Sequence, residues 1–126
     1  MPEKKPGFTT RMLNTPYAEK DPFNALHMPV YETVAFEFDS AEDIAAAFQN
    51  KRPAHVYSRS SNPSVEYLES KIIAATEGRA ALALSSGMAA IANTVLSLVK
   101  PGENILCSPN LFGHTYGLFS KTIPGL

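Results

Sequence analysis

Residues 80–100 read AALALSSGMAAIANTVLSLVK, and this stretch decides the fold that the sequence predicts. A short apolar run, Ala81–Leu84, is followed by Ser-Ser-Gly at 85–87 and then by Met88–Val99, which is apolar at helical spacing. A strand that leads through such a turn directly into a helix aims the first backbone N–H groups of the helix at one point. With the helix dipole and the serine hydroxyls, these donors favour a phosphate or another anion. The alternative is that the turn contains small residues only for steric reasons.

Composition restricts the classes of protein to which the chain can belong. Its 126 residues are 44% hydrophobic and 18% charged, which is ordinary for a soluble globular protein. A formal net charge of -1 gives no reason to expect nucleic acid or an acidic membrane surface as a partner. The single cysteine fits a reducing compartment, and neither a signal peptide nor a membrane-spanning run is visible. We therefore expect a cytoplasmic protein.

The first third of the sequence predicts an irregular arm followed by a helix. Prolines at positions 2, 6, 16, 22 and 29 argue against any helix in residues 1–36. The same residues contain more large apolar side chains than a disordered tail would, so we expect the arm to pack on its own domain or on a second subunit. Ser40 is a candidate N-cap for a helix over about 41–49, with Asp43 in the capping-box position.

The remaining pattern alternates helices and strands. Asn62 and Pro63 start a helix that Gly78 closes, and it has one face directed to the core, formed by Val65, Leu68, Ile72 and Ala75. A second strand over 104–108 and a short helix over 111–121 complete the pattern. Strand, helix and strand form a β-α-β unit, hence an α/β fold with a parallel sheet. One such unit is too little sheet for a doubly wound fold, so we expect the N-terminal part of a larger protein.

Several side chains are candidates for chemistry outside the Ser-Ser-Gly turn. Tyr57 and Arg59 precede the Asn-Pro helix, where a guanidinium and a phenol could bind a phosphate, or could simply belong to a surface loop. Phe112 follows a turn and could present its ring to a flat ligand, or could be a core aromatic. Ser97 and Lys100 match the S-x-x-K pattern of serine acyl enzymes, but the serine falls at the end of a helix instead of its start.

The cysteine and the histidines point to no metal site. Cys107 lies at the C-terminal end of the second strand, and we expect a small buried thiol there. His27, His55 and His114 have no metal-ligand spacing, so we expect surface or hydrogen-bonded histidines.

Four segments together resemble a known family. They are YSRSSNP, VEYLESKI, TEGRAALALSSGMAAI and NLFGHTYGLF, in the order and spacing of the pyridoxal 5′-phosphate (PLP) enzymes of cysteine and methionine metabolism. The resemblance extends from about Pro29 to the end of the chain. It implies the start of the large domain of a fold type I, aspartate aminotransferase-like transferase. Residues 1–56 would form an arm with a short helix that packs on a neighbouring subunit, and residues 57–126 would begin the PLP-binding domain.

The resemblance also implies roles for individual residues. Ser86, Gly87 and Met88 would bind the cofactor phosphate, the last two through their backbone N–H groups. Tyr57 and Arg59 would reach across a subunit interface to the phosphate of the neighbouring chain's cofactor. The implied assembly is a homotetramer built of dimers whose sites are shared between subunits.

Phe112 occupies the position where the family usually has a tyrosine stacked on the pyridine ring, so it would keep the stacking but lack the hydroxyl. Within the family, FDSAEDIAAAF and the GLF ending are most similar to O-acetylhomoserine sulfhydrylases, which form homocysteine and acetate from O-acetylhomoserine and a sulfur donor in methionine biosynthesis. His114 stands where methionine γ-lyases typically have cysteine. Cystathionine γ-synthase and the γ-lyases stay open as alternatives.

The resemblance also implies where the catalytic groups of the family lie. The resemblance places the Schiff-base lysine, the aspartate at the pyridine nitrogen and the arginine for the substrate carboxylate beyond position 126. We therefore expect no catalytic residue here and no activity from this chain alone. A non-catalytic module that binds PLP or an anion is the alternative of a different class.

Overall fold

The computed structural model describes residues 5–17 and 21–125. In these residues the regular structure is helical, with α1 (Phe8–Leu13), α2 (Ala41–Phe48), α3 (Pro63–Thr76), α4 (Gly87–Leu98) and α5 (Gly113–Gly117). After α5 the backbone continues as a turn of π-helix over Leu118–Thr122 and a 3₁₀ turn over Ile123–Gly125. The chain divides into two units, Met1–Leu82 and Ala83–Leu126.

Helices α2 and α3 begin at the residues that the sequence predicts. The Ser40 hydroxyl oxygen accepts the N–H of Asp43 at 3.1 Å and donates to the Asp43 carboxylate at 2.9 Å. The Asn62 side-chain oxygen accepts the N–H of Ser64 at 2.8 Å, with Pro63 as the first helical residue. Each cap satisfies a backbone donor that has no acceptor within its helix. The two predicted helix starts are therefore confirmed.

Helix α1 contradicts the expectation that the prolines exclude a helix from the arm. Pro6 precedes the helix and Pro16 follows it, so neither ring removes a hydrogen bond from inside it. Arg11 fixes α1 to the end of α3, because its guanidinium donates to the carbonyl oxygen of Ala75 at 2.8 Å and lies 3.3 Å from the Glu77 carboxylate. Of the predicted arm, residues 1–4 and 18–20 lie outside the described residues.

The predicted core face of α3 is buried only at its C-terminal end. Ala75 is 4% exposed where α1 covers it, whereas Val65, Leu68 and Ile72 are 40–49% exposed. The apolar period is correct, but burial needs a covering element, and the described residues supply one at only one end of the helix. Among the described residues, the face that was expected to point to the core is therefore covered only at Ala75.

The predicted β-α-β unit is not formed in the described residues. Residues 81–84 and 104–108 do not form strands. The β pairing found among the described residues is one antiparallel bridge between Ala35 and Tyr57. A strand is defined by its ladder of hydrogen bonds to a neighbour, and these two segments do not pair with each other. Leu106 is fully exposed and Cys107 is exposed as well, so the expected buried thiol was also wrong.

Candidate functional site

The first turn of α4 contains hydrogen-bond donors that no helical acceptor uses. The Ser86 hydroxyl oxygen accepts the N–H of Ala89 at 3.1 Å, and the Ser86 carbonyl oxygen accepts the N–H of Ala90 at 3.0 Å. The N–H groups of Gly87 and Met88 come too early in the helix to have an acceptor within it. The Ser86 hydroxyl can still donate its own proton, because it acts only as an acceptor toward Ala89. These donors share the positive end of a 12-residue helix, an arrangement that favours an anion.

Gly87 keeps the space in front of this turn open. A Cβ built on Gly87 would have no atom within 4 Å, and its φ lies outside the left-handed region. Neither packing nor backbone strain within this chain therefore requires glycine at this position. A ligand that approaches the backbone closely would require it, because any side chain would stand in its way.

Phe112 is the N-cap residue of α5, in the same unit as the α4 turn. It is 79% exposed, so it is not a core aromatic in this chain. Its ring centroid lies 6.2 Å from that of His114, with the two rings tilted by 52°. Helices α4 and α5 meet where the Thr115 hydroxyl donates to the Met88 sulfur at 3.5 Å. The exposed ring and the open donors of the α4 turn are thus carried by two helices in direct contact.

Tyr57 and Arg59 lie together on a turn of the first unit. The guanidinium carbon of Arg59 is 4.9 Å from the centroid of the Tyr57 ring, which is a cation–π geometry. The turn is anchored because the N–H of Ser58 donates to the carbonyl oxygen of Val34 at 2.8 Å. Among the described residues, no carboxylate forms an ion pair with Arg59. Its positive charge is therefore available to an external anion.

The remaining candidate side chains have ordinary structural explanations. Ser97 lies in the last turn of α4, where its hydroxyl donates to the carbonyl oxygen of Thr94 at 3.0 Å, so the helix-start geometry of a serine acyl enzyme is not formed. His55 Nδ1 lies 3.0 Å from the Ser61 hydroxyl and 3.6 Å from the Glu66 carboxylate, which makes it a hydrogen-bonded histidine as predicted.

The described part of the chain holds no group of three or more side chains placed to bind a metal ion. No helix in that part has the length and apolar character needed to cross a membrane.

The sequence profile described as Cys/Met metabolism PLP-dependent enzyme matches residues 9–126. The chain belongs to this family. An L-methionine gamma-lyase of Pseudomonas putida is 42% identical over 120 residues, which cover 95% of this chain and 30% of that enzyme. An O-acetyl-L-homoserine sulfhydrylase of Corynebacterium glutamicum is 40% identical over 117 residues, covering 93% of this chain and 27% of that enzyme. The resemblance inferred from the four segments is thereby confirmed.

A solved structure extends the likeness to the fold. It is that of a putative O-acetylhomoserine (thiol)-lyase from Campylobacter jejuni, which contains N′-pyridoxyl-lysine-5′-monophosphate. The TM-score is 0.85 at 26% identity, over 96% of this chain and 30% of that chain. This likeness is consistent with fold type I, although the described residues form helices without strands. The chain spans 27–30% of the length of these three proteins.

These comparisons leave the specific reaction and the residue roles as predictions. Identities of 42% and 40% do not separate the lyase from the sulfhydrylase. The assignment of Tyr57, Arg59, residues 86–88 and Phe112 to the cofactor is not tested by them. Sequence reasoning missed Thr115 altogether, because a single threonine in a short helix has no pattern to mark it. Only the packing of α5 on α4 reveals its contact with Met88.

Proposed function

We propose that this chain forms the phosphate-binding part of the PLP site of a γ-replacement enzyme, with O-acetylhomoserine sulfhydrylase as the first candidate because FDSAEDIAAAF and the GLF ending resemble that enzyme. The observation that carries the proposal is the first turn of α4, where the donors of Ser86, Gly87 and Met88 are without helical acceptors. A phosphate dianion has several acceptor oxygens and is bound best by such a group of N–H and O–H donors at a helix start. The open space at Gly87 admits the phosphate to the backbone.

Tyr57 and Arg59 complete the binding of phosphate, in this proposal from a neighbouring subunit of a homotetramer. Arginine can hold two phosphate oxygens at once, and the tyrosine hydroxyl is a further donor. The cation–π contact supports this role, because it places the two donors side by side, where both can bind one phosphate. The arm over residues 1–56 would then belong to the interface between subunits.

Phe112 lies against the cofactor ring in this proposal. PLP, when bound, supplies an electron sink for negative charge that develops on the substrate carbon. Phe112 offers an apolar ring face for stacking and no hydroxyl, so it orients the ring but cannot hold a proton. We assign proton transfer and the catalytic lysine to residues outside this chain.

The proposed substrates are O-acetylhomoserine and a sulfur donor, with homocysteine and acetate as products, in the cytoplasm. A methionine γ-lyase is the second candidate, favoured by the 42% identity to the Pseudomonas putida enzyme. Cystathionine γ-synthase and cystathionine γ-lyase activities are also compatible with membership of this family. Since this chain contributes the cofactor phosphate site in every case, its residues have the same proposed roles in each.

The first test measures the intact mass and visible absorption of the native protein. A mass several times that of the 126 residues together with a visible band of bound PLP is the expected result. The holoenzyme is then incubated with O-acetylhomoserine plus sulfide and, separately, with methionine. Homocysteine formation in the first mixture supports the sulfhydrylase, whereas consumption of methionine alone supports the lyase. A native protein with the mass of this chain and no affinity for PLP would refute the proposal and favour a non-catalytic module.

A further inference from the structure

Thr115 is the most enclosed side chain in the second unit. It is 7% exposed and is the one buried residue among the described residues 83–125. Large apolar groups of the same unit, such as Leu96, Leu98 and Phe112, are between 56% and 79% exposed. A buried hydroxyl has a cost unless it is hydrogen-bonded, so the contacts of this threonine need an explanation.

The hydroxyl of Thr115 bonds to another helix instead of its own. Helical serines and threonines usually donate to a carbonyl oxygen one turn earlier, and Thr94 does so here, bonding to Ala90 at 2.7 Å. Thr115 donates instead to the sulfur of Met88 at 3.5 Å. Thioether sulfur is a weak acceptor, so this bond contributes only while the packing of the two helices keeps the two side chains in contact.

The contact joins the two parts of the candidate site. Met88 provides one of the open N–H groups at the start of α4, and Thr115 lies three residues after Phe112, whose exposed ring begins α5. A change at this contact therefore changes the position of the ring relative to the anion donors, without removing either of them.

We infer that Thr115 is a positioning residue, which acts through Met88 to set the place of the Phe112 ring relative to the phosphate-binding turn of α4. This inference rests on the proposed function, because it needs a ligand that has both a phosphate and a flat ring. The expected consequence is selective: affinity for PLP depends on Thr115, whereas affinity for inorganic phosphate, which has no ring, does not.

The test compares Thr115→Val and Thr115→Ser in the native protein after removal of PLP. Valine keeps the shape and removes the hydroxyl, whereas serine restores the hydroxyl. We expect Thr115→Val to raise the Kd for PLP about threefold to tenfold, the effect of one lost hydrogen bond, and to change the visible circular dichroism of the bound cofactor. The inhibition constant of inorganic phosphate, measured by competition with PLP, should stay at the wild-type value. Thr115→Ser should restore both the Kd for PLP and the circular dichroism.

Thr94→Val is the matched control, because it removes a threonine hydroxyl that bonds only within α4. A Thr115→Val protein that is merely less stable, with wild-type PLP affinity and circular dichroism, would overturn the inference. Equal losses for PLP and phosphate would overturn it too, since the site would then be disturbed as a whole. If wild-type protein itself does not bind PLP, the proposed function fails instead.

Met88→Leu provides a second test should Thr115→Val fail to fold. It removes the sulfur acceptor and keeps the backbone N–H and a similar volume. We expect the same selective loss of PLP affinity, because the Thr115 hydroxyl then has no sulfur to bond. Wild-type PLP affinity in Met88→Leu would refute the role of the contact.

Discussion

Ser86 is predicted to have two separable roles, and one pair of substitutions distinguishes them. Its hydroxyl oxygen caps α4 by accepting the N–H of Ala89, and its hydroxyl proton is available to the proposed phosphate. Ser86→Ala removes both functions. Ser86→Asp keeps a side-chain acceptor for the cap, and its negative charge is favourable at a helix N-terminus, but the same charge repels a phosphate.

The two variants are expected to change the free energy of unfolding and the free energy of PLP binding by different amounts. Loss of the cap in Ser86→Ala should lower the free energy of unfolding by about 1 kcal/mol. Loss of a hydrogen bond to a charged group should weaken PLP binding by about 1.5–3 kcal/mol, or roughly tenfold to a hundredfold in Kd. Ser86→Asp adds a like-charge repulsion of about 1 kcal/mol per unit charge at about 4 Å in a water-like medium, and about 4 kcal/mol near a less hydrated protein surface. Because Ser86 is exposed in this chain, we expect the smaller repulsion.

The assay pairs thermal unfolding with fluorescence titration of the PLP-free native protein. Ser86→Ala should lose both stability and affinity for PLP. Ser86→Asp should keep the wild-type stability in the absence of PLP, but its Kd for PLP should equal or exceed that of Ser86→Ala. Ser97→Ala is the control on the same helix, because its hydroxyl bonds only to the Thr94 carbonyl oxygen. Ser86→Asp binding PLP as tightly as wild type would refute phosphate binding at α4.

Three further substitutions, all in the first unit, test the proposed role of Arg59 and the contacts that stabilise the helices of that unit. Asn62→Ala should lower the free energy of unfolding by about 2 kcal/mol, because a buried cap with additional hydrogen bonds is lost. The control is Asn93→Ala, in the exposed middle of α4, which should change the free energy measured by thermal unfolding little. Arg59→Lys should raise the Kd for PLP roughly tenfold in the same titration, because an ammonium group cannot hold two phosphate oxygens in parallel; an unchanged Kd would place Arg59 outside the site. Arg11→Ala should lower the free energy of unfolding by about 1–3 kcal/mol through loss of the bond to the Ala75 carbonyl oxygen, and an unchanged denaturation midpoint would contradict that role.

Features that depend on a few neighbouring residues were predictable from the sequence. The caps at Ser40 and Asn62 are set by side chains within three residues of the N–H groups that they accept, so sequence spacing alone identifies them. Helix α1 was missed because prolines on either side of a short segment were interpreted as if they lay inside it. The docking of that helix depends on Arg11 reaching the carbonyl of a residue 64 positions away, which no local pattern reveals.

Burial and strand pairing were the features that the sequence did not determine. The apolar period of α3 and the apolar runs beside α4 are correct as patterns, yet Leu68 and Leu82 are 49% and 74% exposed. A pattern states which face is able to be buried, but covering that face requires another element, and a strand requires a neighbour with which to form its ladder. The exposure of Cys107 has the same origin, since the segment that contains it has no paired strand to cover it among the described residues.

The two parts of the candidate site in the second unit depend on the fold to different extents. One part is local to a single helix and the other depends on packing between helices, so we expect the affinities for phosphate and for PLP to respond differently when packing is loosened. The proposed anion-binding turn is formed by Ser86 and the first residues of α4, so it needs only the helix to be present. The position of the Phe112 ring depends instead on α5 packing on α4 through Thr115, a contact between residues 27 positions apart. Conditions that loosen packing while helices persist, such as mild denaturant, should therefore weaken PLP binding before they weaken phosphate binding. A parallel loss of both affinities would show that the turn, like the ring, needs the packed structure.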